Sequence, residues 1–363
     1  MRILKRNGLI ECLRLMFTMY VLLHHSAFVS HGEEAMFKSG WLGVEFFFLL
    51  SGYLMAREEA HMPSGNVDTL GPDTFRFISK KIKRLFPYLA FAFIVNFVVW
   101  SIPSSRFSAQ YVEHAISGLL NFIFAYSAGF HSEDFFYIGY SWYISAMILT
   151  MVFLFPLLRK NRKTFMYVYA PLIVFFGMGL FAFMYGRVGY AISDDWILSN
   201  GILRASFDLC LGCLSYTVSE KLKSYNFTHF GAQLLSAALL LGTAIVSYRI
   251  IFLGANSIND FLLIFLLALI IAIAFSEKAS ISFSLGEKAS TFWGNFSYAI
   301  YITSNCWSYF IARMFPDWSY KKAVLVYILL AVICALACMA TCAMIGQLYR
   351  KYQGKILRKI IIQ

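Results

Sequence analysis

Gly43-Val44-Glu45-Phe46-Phe47-Phe48-Leu49-Leu50-Ser51-Gly52-Tyr53-Leu54 is a run in which a single carboxylate, Glu45, stands among aromatic and aliphatic side chains. The run lies in an apolar span near 40–56. Comparable spans recur near 9–29, 86–103, 140–158, 165–186, 201–219, 232–253, 260–276, 292–315 and 323–348. About 20 apolar residues suffice to cross a bilayer, so these ten spans predict an all-α, polytopic transmembrane helical bundle. A carboxylate in such a span is costly unless a partner or a wet cavity receives it. Glu45 therefore marks the interior of the bundle and begins the search for a site.

The composition agrees with a bilayer as solvent. Of 363 residues, 60% are hydrophobic and 18% aromatic, and only 14% are charged, well below the roughly 25% usual for soluble domains. No polar stretch is long enough for a separate fold, so residues 1–363 are expected to form a single membrane domain. Between Ser104 and Gly139 the shorter apolar stretch Ile116 to Ala128 is expected to be interfacial or re-entrant. The net charge of +12 does not imply nucleic acid, because the basic residues cluster beside apolar spans as loop anchors do.

Arg2, Lys5 and Arg6 precede an apolar run, as in a signal peptide. Glu11, Arg14, His24 and His25 interrupt that run, however, and no small-residue cleavage site follows, which predicts a retained first helix. The seven cysteines fall in apolar segments, where they act as small hydrophobes. The Cys210/Cys213 pair has no second pair to complete a zinc site, and no metal is expected.

Lysine and arginine fix the expected orientation. Of the 31, Arg14, Arg204 and Arg249 lie within spans. With the N-terminus inside, six fall on the outer side (Lys38, Arg106, Arg187, Arg313, Lys321 and Lys322) and the remaining 22 on the inner side. The positive-inside tendency then places both termini in the cytoplasm, and the loops near His31, Ser132 and Asp194 outside.

Arginines within spans need partners or water. Arg14 and His25 are eleven residues apart, about three helical turns plus 20°, so a continuous helix puts them on one face roughly 16 Å apart along the axis. Glu11 is spaced to pair with Arg14, while His24 points away by about 100° from His25. A buried ionic pair with an interfacial histidine would account for the same pattern. Glu45 could orient a histidine or hold Arg14 or Arg204. Ser51-Gly52 could permit close helix approach or a local break. Arg204 and Asp208, at i and i+4, could neutralise each other or serve a site. Asn295, Ser297, Tyr301, Ser304 and Asn305 form a polar band that suits either a wet cavity or interhelical hydrogen bonding. The cluster Lys80, Lys81, Lys83 and Arg84 suits either phosphate contacts or loop anchoring.

Taken together, these residues resemble acyltransferase family 3, the membrane proteins that O-acylate bacterial carbohydrates. The family's acid-x-x-Arg opening appears as Glu11-Cys12-Leu13-Arg14, and its Arg-to-His spacing as Arg14 to His25. Its Gly-Val-acid-aromatic run ending in Leu-Ser-Gly-aromatic matches Gly43 to Tyr53, with glutamate where aspartate is common. The basic segment Phe77-Ile78-Ser79-Lys80-Lys81-Ile82-Lys83-Arg84-Leu85-Phe86-Pro87 is similar to the one that follows in the family. Ser141-Trp142-Tyr143-Ile144-Ser145-Ala146 resembles its tryptophan helix, and Arg204 to Gly212 its arginine-containing sixth helix. Two departures stand out: Ser304 replaces a late histidine, and Met147 an acidic residue. No SGNH-type domain is expected after the last helix.

The resemblance implies transfer of an acyl group, most often acetyl, from cytoplasmic acyl-CoA to a hydroxyl of a cell-envelope or exported carbohydrate, including lipid-linked acceptors. It implies a multi-pass protein of the bacterial cytoplasmic membrane. His25 would be the general base, since a neutral imidazole accepts a proton near physiological pH. Glu45 would orient or charge-balance it, and Arg14 would bind the donor or stabilise developing negative charge. Glu11, Ser51, Trp142 and Arg204 would support them, with Lys80, Lys81, Lys83 and Arg84 on the phosphates of acyl-CoA. The competing expectation is a transporter or flippase for a lipid-linked glycan, because intramembrane charge also marks transport pathways.

Overall fold

The computed structural model describes residues 7–30, 36–63, 67–104, 141–188, 200–254 and 259–361. The stretch Ile116 to Ala128 and the loops near His31, Ser132 and Asp194 lie outside the described residues. Those described are helical, with no β-strand among them. The chain runs through α1 (Gly8–His24), a 3₁₀ turn (His25–Ser30), α2 (Leu42–Ala60), α3 (Val67–Ser104) and α4 (Ser141–Lys160). A short turn (Arg162–Thr164) and a π-helical turn (Phe165–Tyr169) lead into α5 (Ala170–Tyr185). Then come α6 (Asn200–Ser224), α7 (His229–Phe252), α8 (Asp260–Ser276), α9 (Glu287–Thr303), α10 (Asn305–Met314) and α11 (Tyr320–Ile361).

Among the described residues, six helical spans are long and apolar enough to cross a membrane: Gly8–Val29, Asp68–Val99, Trp142–Lys160, Arg162–Tyr185, His229–Phe252 and Tyr320–Tyr349. Four other expected spans are helical but differ for identifiable reasons. Helix α2 carries Glu45, Arg57, Glu58 and Glu59, and α6 carries Arg204, Asp208, Glu220, Lys221 and Lys223. Helix α8 is apolar but only 17 residues long. The span expected at 292–315 breaks at Ser304, where α9 ends and α10 begins.

The outer faces are apolar, as lipid contact demands. Phe175, Phe176, Leu241 and Leu325 are all more than half exposed, an arrangement that water would penalise. The interior is held by aromatic stacking: Phe17 on Phe46 at 4.3 Å, Phe77 on Phe155 at 4.1 Å, and Tyr53 on Phe275 at 3.9 Å.

Helices α2 and α6 form the tightest crossing, because glycine removes the side chain that would separate them. A Cβ on Gly52 would lie 2.1 Å from the Leu209 carbonyl oxygen, and one on Gly212 would lie 2.1 Å from that of Leu49. The Ser51-Gly52 pair thus serves close approach, within an unbroken helix. At the start of α1, Asn7 caps the helix by accepting from the Ile10 N–H and donates to the Ala274 carbonyl at 2.7 Å. That donation ties α1 to the end of α8 and sets the height of Arg14 in the bundle.

Candidate active site

Helices α1, α2, α3, α4 and α9 enclose a cavity of about 170 Å³. Arg14, Ser51, Lys81, Arg84, Tyr143 and Tyr301 are among the residues that line it. Arg14 is positioned locally: its Nη1 donates to Glu11 Oε2 at 3.2 Å, as the spacing predicts, and its Nη2 reaches the Gly294 carbonyl at 3.5 Å. Ser51 and Tyr143 share a hydrogen bond of 3.1 Å between hydroxyls. Tyr298 closes another wall by donating to the Leu85 carbonyl at 3.4 Å. The cavity lining therefore combines positive charge with hydroxyl donors and aromatic rings. Such a space suits a ligand with an anionic head and a less polar tail.

Within the basic segment only part of the cluster reaches the cavity. Lys81 lies over the Phe77 ring, 4.9 Å from its centroid, and lines the cavity with Arg84. Lys80 is turned away and pairs with Glu58 at 2.6 Å, and Lys83 is exposed outside the lining. A helix turns 100° per residue, so four neighbouring cations cannot share one face.

Glu45 has Arg204 as its partner. The Arg204 Nε donates to Glu45 Oε1 at 3.0 Å, Nη2 approaches the same oxygen, and both residues are fully buried. Trp142 covers the guanidinium at 5.1 Å. Of the roles open to Glu45, this one makes it the partner of Arg204, with the Arg204 charge also close to Asp208. Asp208 lies beside Glu45 as well, and neither of its oxygens meets a hydrogen-bond donor. The signal missed in the sequence is this inter-helix choice: an i,i+4 spacing allows a pair but does not compel one when a second carboxylate is closer through space.

His25 is not among the residues lining the Arg14 cavity. Thr18 and Leu22 follow Arg14 on the same side of α1 and are buried. The Thr18 hydroxyl donates to the Arg14 carbonyl at 2.8 Å. Leu22 belongs to the apolar cluster that includes Ile300 and Tyr327, and the Tyr327 hydroxyl donates to the Leu22 carbonyl at 3.3 Å. The helical phase places Arg14 and His25 on one face, yet only Arg14 reaches the cavity. Helix α1 also ends at His24, so His25 opens the 3₁₀ turn.

The two imidazoles have different surroundings. His24 Nδ1 lies 2.9 Å from the Phe37 carbonyl oxygen, in the segment leading to α2. The His25 ring is parallel to Phe28 at 5.8 Å, and Phe28 in turn meets Tyr309 of α10 at 4.8 Å. Of the polar band on α9, Asn295, Ser297 and Tyr301 line the cavity. Ser304 and Asn305 sit buried at the break before α10, where the Ser304 hydroxyl donates to the Tyr301 carbonyl at 3.4 Å. Met147 lines the cavity.

A second buried arginine, given no role from the sequence, forms a separate network. Arg249 donates to Asp260 Oδ1 at 3.0 Å and to the Ser39 hydroxyl at 2.8 Å. It joins α7, α8 and the entry to α2 away from the cavity.

Fold and site together define a multi-pass helical membrane protein with a cation-rimmed cavity inside the bundle. A family model described as an acyltransferase domain, that of acyltransferase family 3, matches residues 7–345, and the chain belongs to that family. It is a membrane acyltransferase. No curated protein and no solved structure matches the chain.

Proposed function

We propose that this acyltransferase transfers an acyl group, acetyl in the simplest case, from cytoplasmic acyl-CoA to a hydroxyl of a cell-envelope or exported carbohydrate. The observation that carries the reading is the cavity, lined by Lys81, Arg84 and Arg14 together with Ser51 and Tyr143. The phosphates of acyl-CoA pair with Lys81 and Arg84, and its acyl-bearing arm extends toward Arg14. In the transfer, the sugar oxygen bonds to the thioester carbonyl carbon, the carbon–sulfur bond breaks, and the thiolate leaves with coenzyme A. His25 takes the hydroxyl proton as general base. Arg14, always protonated, stabilises negative charge on the carbonyl oxygen. Glu11 positions Arg14, and the pair Glu45–Arg204, under Trp142, holds α2 and α6 in register beside the cavity.

Because His25 does not line the cavity, its role as base requires that it and the donor site come into one compartment during turnover. Lid and helix movements of this kind commonly limit rate. Membership in an acyltransferase family favours this reading over a transporter. The orientation follows the charge asymmetry: ten crossings, both termini in the cytoplasm of a bacterial inner or plasma membrane, and one membrane acyltransferase domain. Mass spectrometry of envelope and exported glycans from cells with and without the protein tests the reaction. A glycan heavier by one acyl group only when the protein is present is the expected result. Identical glycans in both would overturn the carbohydrate acceptor.

A further inference from the structure

We propose that a second pocket, between the start of the Arg162–Tyr185 span and the end of α6, binds the headgroup of an anionic phospholipid. The pocket is about 480 Å³, and Arg162, Lys163, Tyr167, Tyr216 and Lys221 are among its lining residues. It lies apart from the acyl-transfer cavity, with which it shares no lining residue.

Its charge is in excess. Glu220, the acidic residue in the lining, is taken by Lys223 at 2.7 Å. Arg162 meets Glu59 only loosely, Nε to Oε2 at 3.7 Å, and its guanidinium rests over the Tyr216 ring at 5.3 Å. Lys163 and Lys221 are exposed, and among the described residues no carboxylate pairs with either. Three cations with little internal neutralisation thus converge on one concavity, which is the chemistry of a phosphate site.

The surface leading away from the pocket identifies the phosphate as that of a lipid. Tyr167 lines the pocket and is strongly exposed, and Leu172, Phe175, Phe176 and Phe183 continue from it along α5. Phe175 is 69% and Phe183 89% exposed. Lying five, eight, nine and sixteen residues after Tyr167, these four side chains fall within about 100° of one another around a helix that turns 100° per residue, a single apolar stripe. A soluble phosphate has no use for that stripe, whereas an acyl chain lies along it while its headgroup sits among the cations. Two tyrosines at the boundary fit the amphipathic interface between these regions. Basic pockets between membrane helices recognise anionic headgroups in this way.

The test uses the full-length protein in neutral detergent, with bound lipid counted by native mass spectrometry. The probes are phosphatidylglycerol and phosphatidylcholine of equal chain length. Wild type is expected to prefer phosphatidylglycerol at least about tenfold, and the Lys163→Gln/Lys221→Gln variant to bind it about 30-fold more weakly, at roughly one headgroup interaction lost per cation. Lys83→Gln, an exposed lysine lining neither cavity, should bind as wild type does. Equal binding of the two lipids by wild type, or full phosphatidylglycerol preference in the double variant, would overturn the proposal. Displacement of phosphatidylglycerol by inorganic phosphate or coenzyme A at millimolar concentration would assign the pocket to a soluble phosphate and overturn the lipid.

Discussion

The guanidinium of Arg204 lies against the carboxylate of Glu45, Nε 3.0 Å from Oε1, and neither residue exposes any surface. The contact bridges α6 and α2 beside the glycine crossing. Removing one partner of a buried pair strands the other charge, which costs about 3–5 kcal/mol. Glu45→Gln should lower the melting temperature sharply in detergent. Asp208→Asn should lower it much less, because no hydrogen bond to a guanidinium is lost. Equal melting of the two variants would mean that the pair does not hold the helices.

Gly52→Ala and Gly212→Ala should each destabilise the protein by more than the roughly 1–3 kcal/mol typical of overpacking. The obstructing atoms are carbonyl oxygens of the facing helix, 2.1 Å from the new Cβ, and backbone cannot rotate aside as a side chain can. Fluorescence-detected size-exclusion after a heat step gives the measurement. Gly71→Ala, with open space around the new Cβ, is the control.

His25→Ala should reduce acyl transfer by about 10² to 10⁴, the usual cost of losing a general base, with the protein inserted and folded. His24→Ala should keep its turnover per folded molecule and lose about 1 kcal/mol of stability, because its ring hydrogen-bonds the Phe37 carbonyl. Purified variants of matched abundance, assayed for acyl incorporation into glycan, separate the two effects. An active His25→Ala protein would remove His25 from the chemistry.

Lys81→Gln and Arg84→Gln should each raise the donor KM by about tenfold or more, since a charge-assisted hydrogen bond contributes about 1.5–3 kcal/mol. Lys80→Gln and Lys83→Gln should leave it within about twofold, because Lys80 is held by Glu58 and Lys83 lies outside the cavity. Titration of acyl-CoA at saturating acceptor reads the difference. An unchanged KM in all four correctly inserted variants would leave the cluster only its role as a cytoplasmic anchor.

Cysteine labelling of intact cells examines orientation. A cysteine replacing Asp317, between α10 and α11, should react with an impermeant reagent from outside. One replacing Lys163 or Lys221 should not, as the 22 basic residues on the inner side require. The reverse pattern would invert the protein in the membrane and move the donor cavity to the wrong side for acyl-CoA.

The membrane bundle was legible in the amino-acid sequence because its causes are local. Apolar length produces a helix in lipid, where every backbone N–H and C=O must be satisfied within the segment. The Glu11–Arg14 bridge follows from a three-residue spacing on one helix. What local rules could not choose was partnership across helices. Arg204 had Asp208 one turn away and took Glu45, 159 residues distant, because close packing at Gly52 and Gly212 brings α2 against α6. Lys80 and Lys81 are adjacent in sequence, yet only Lys81 faces the cavity. Arg14 and His25 share a helical phase, but only Arg14 lines the cavity, while Leu22, between them on α1, packs with Ile300 and Tyr327. Sequence spacing determines direction around one axis, and whether that direction meets a cavity, a partner or a neighbouring side chain is decided only when the other helices arrive.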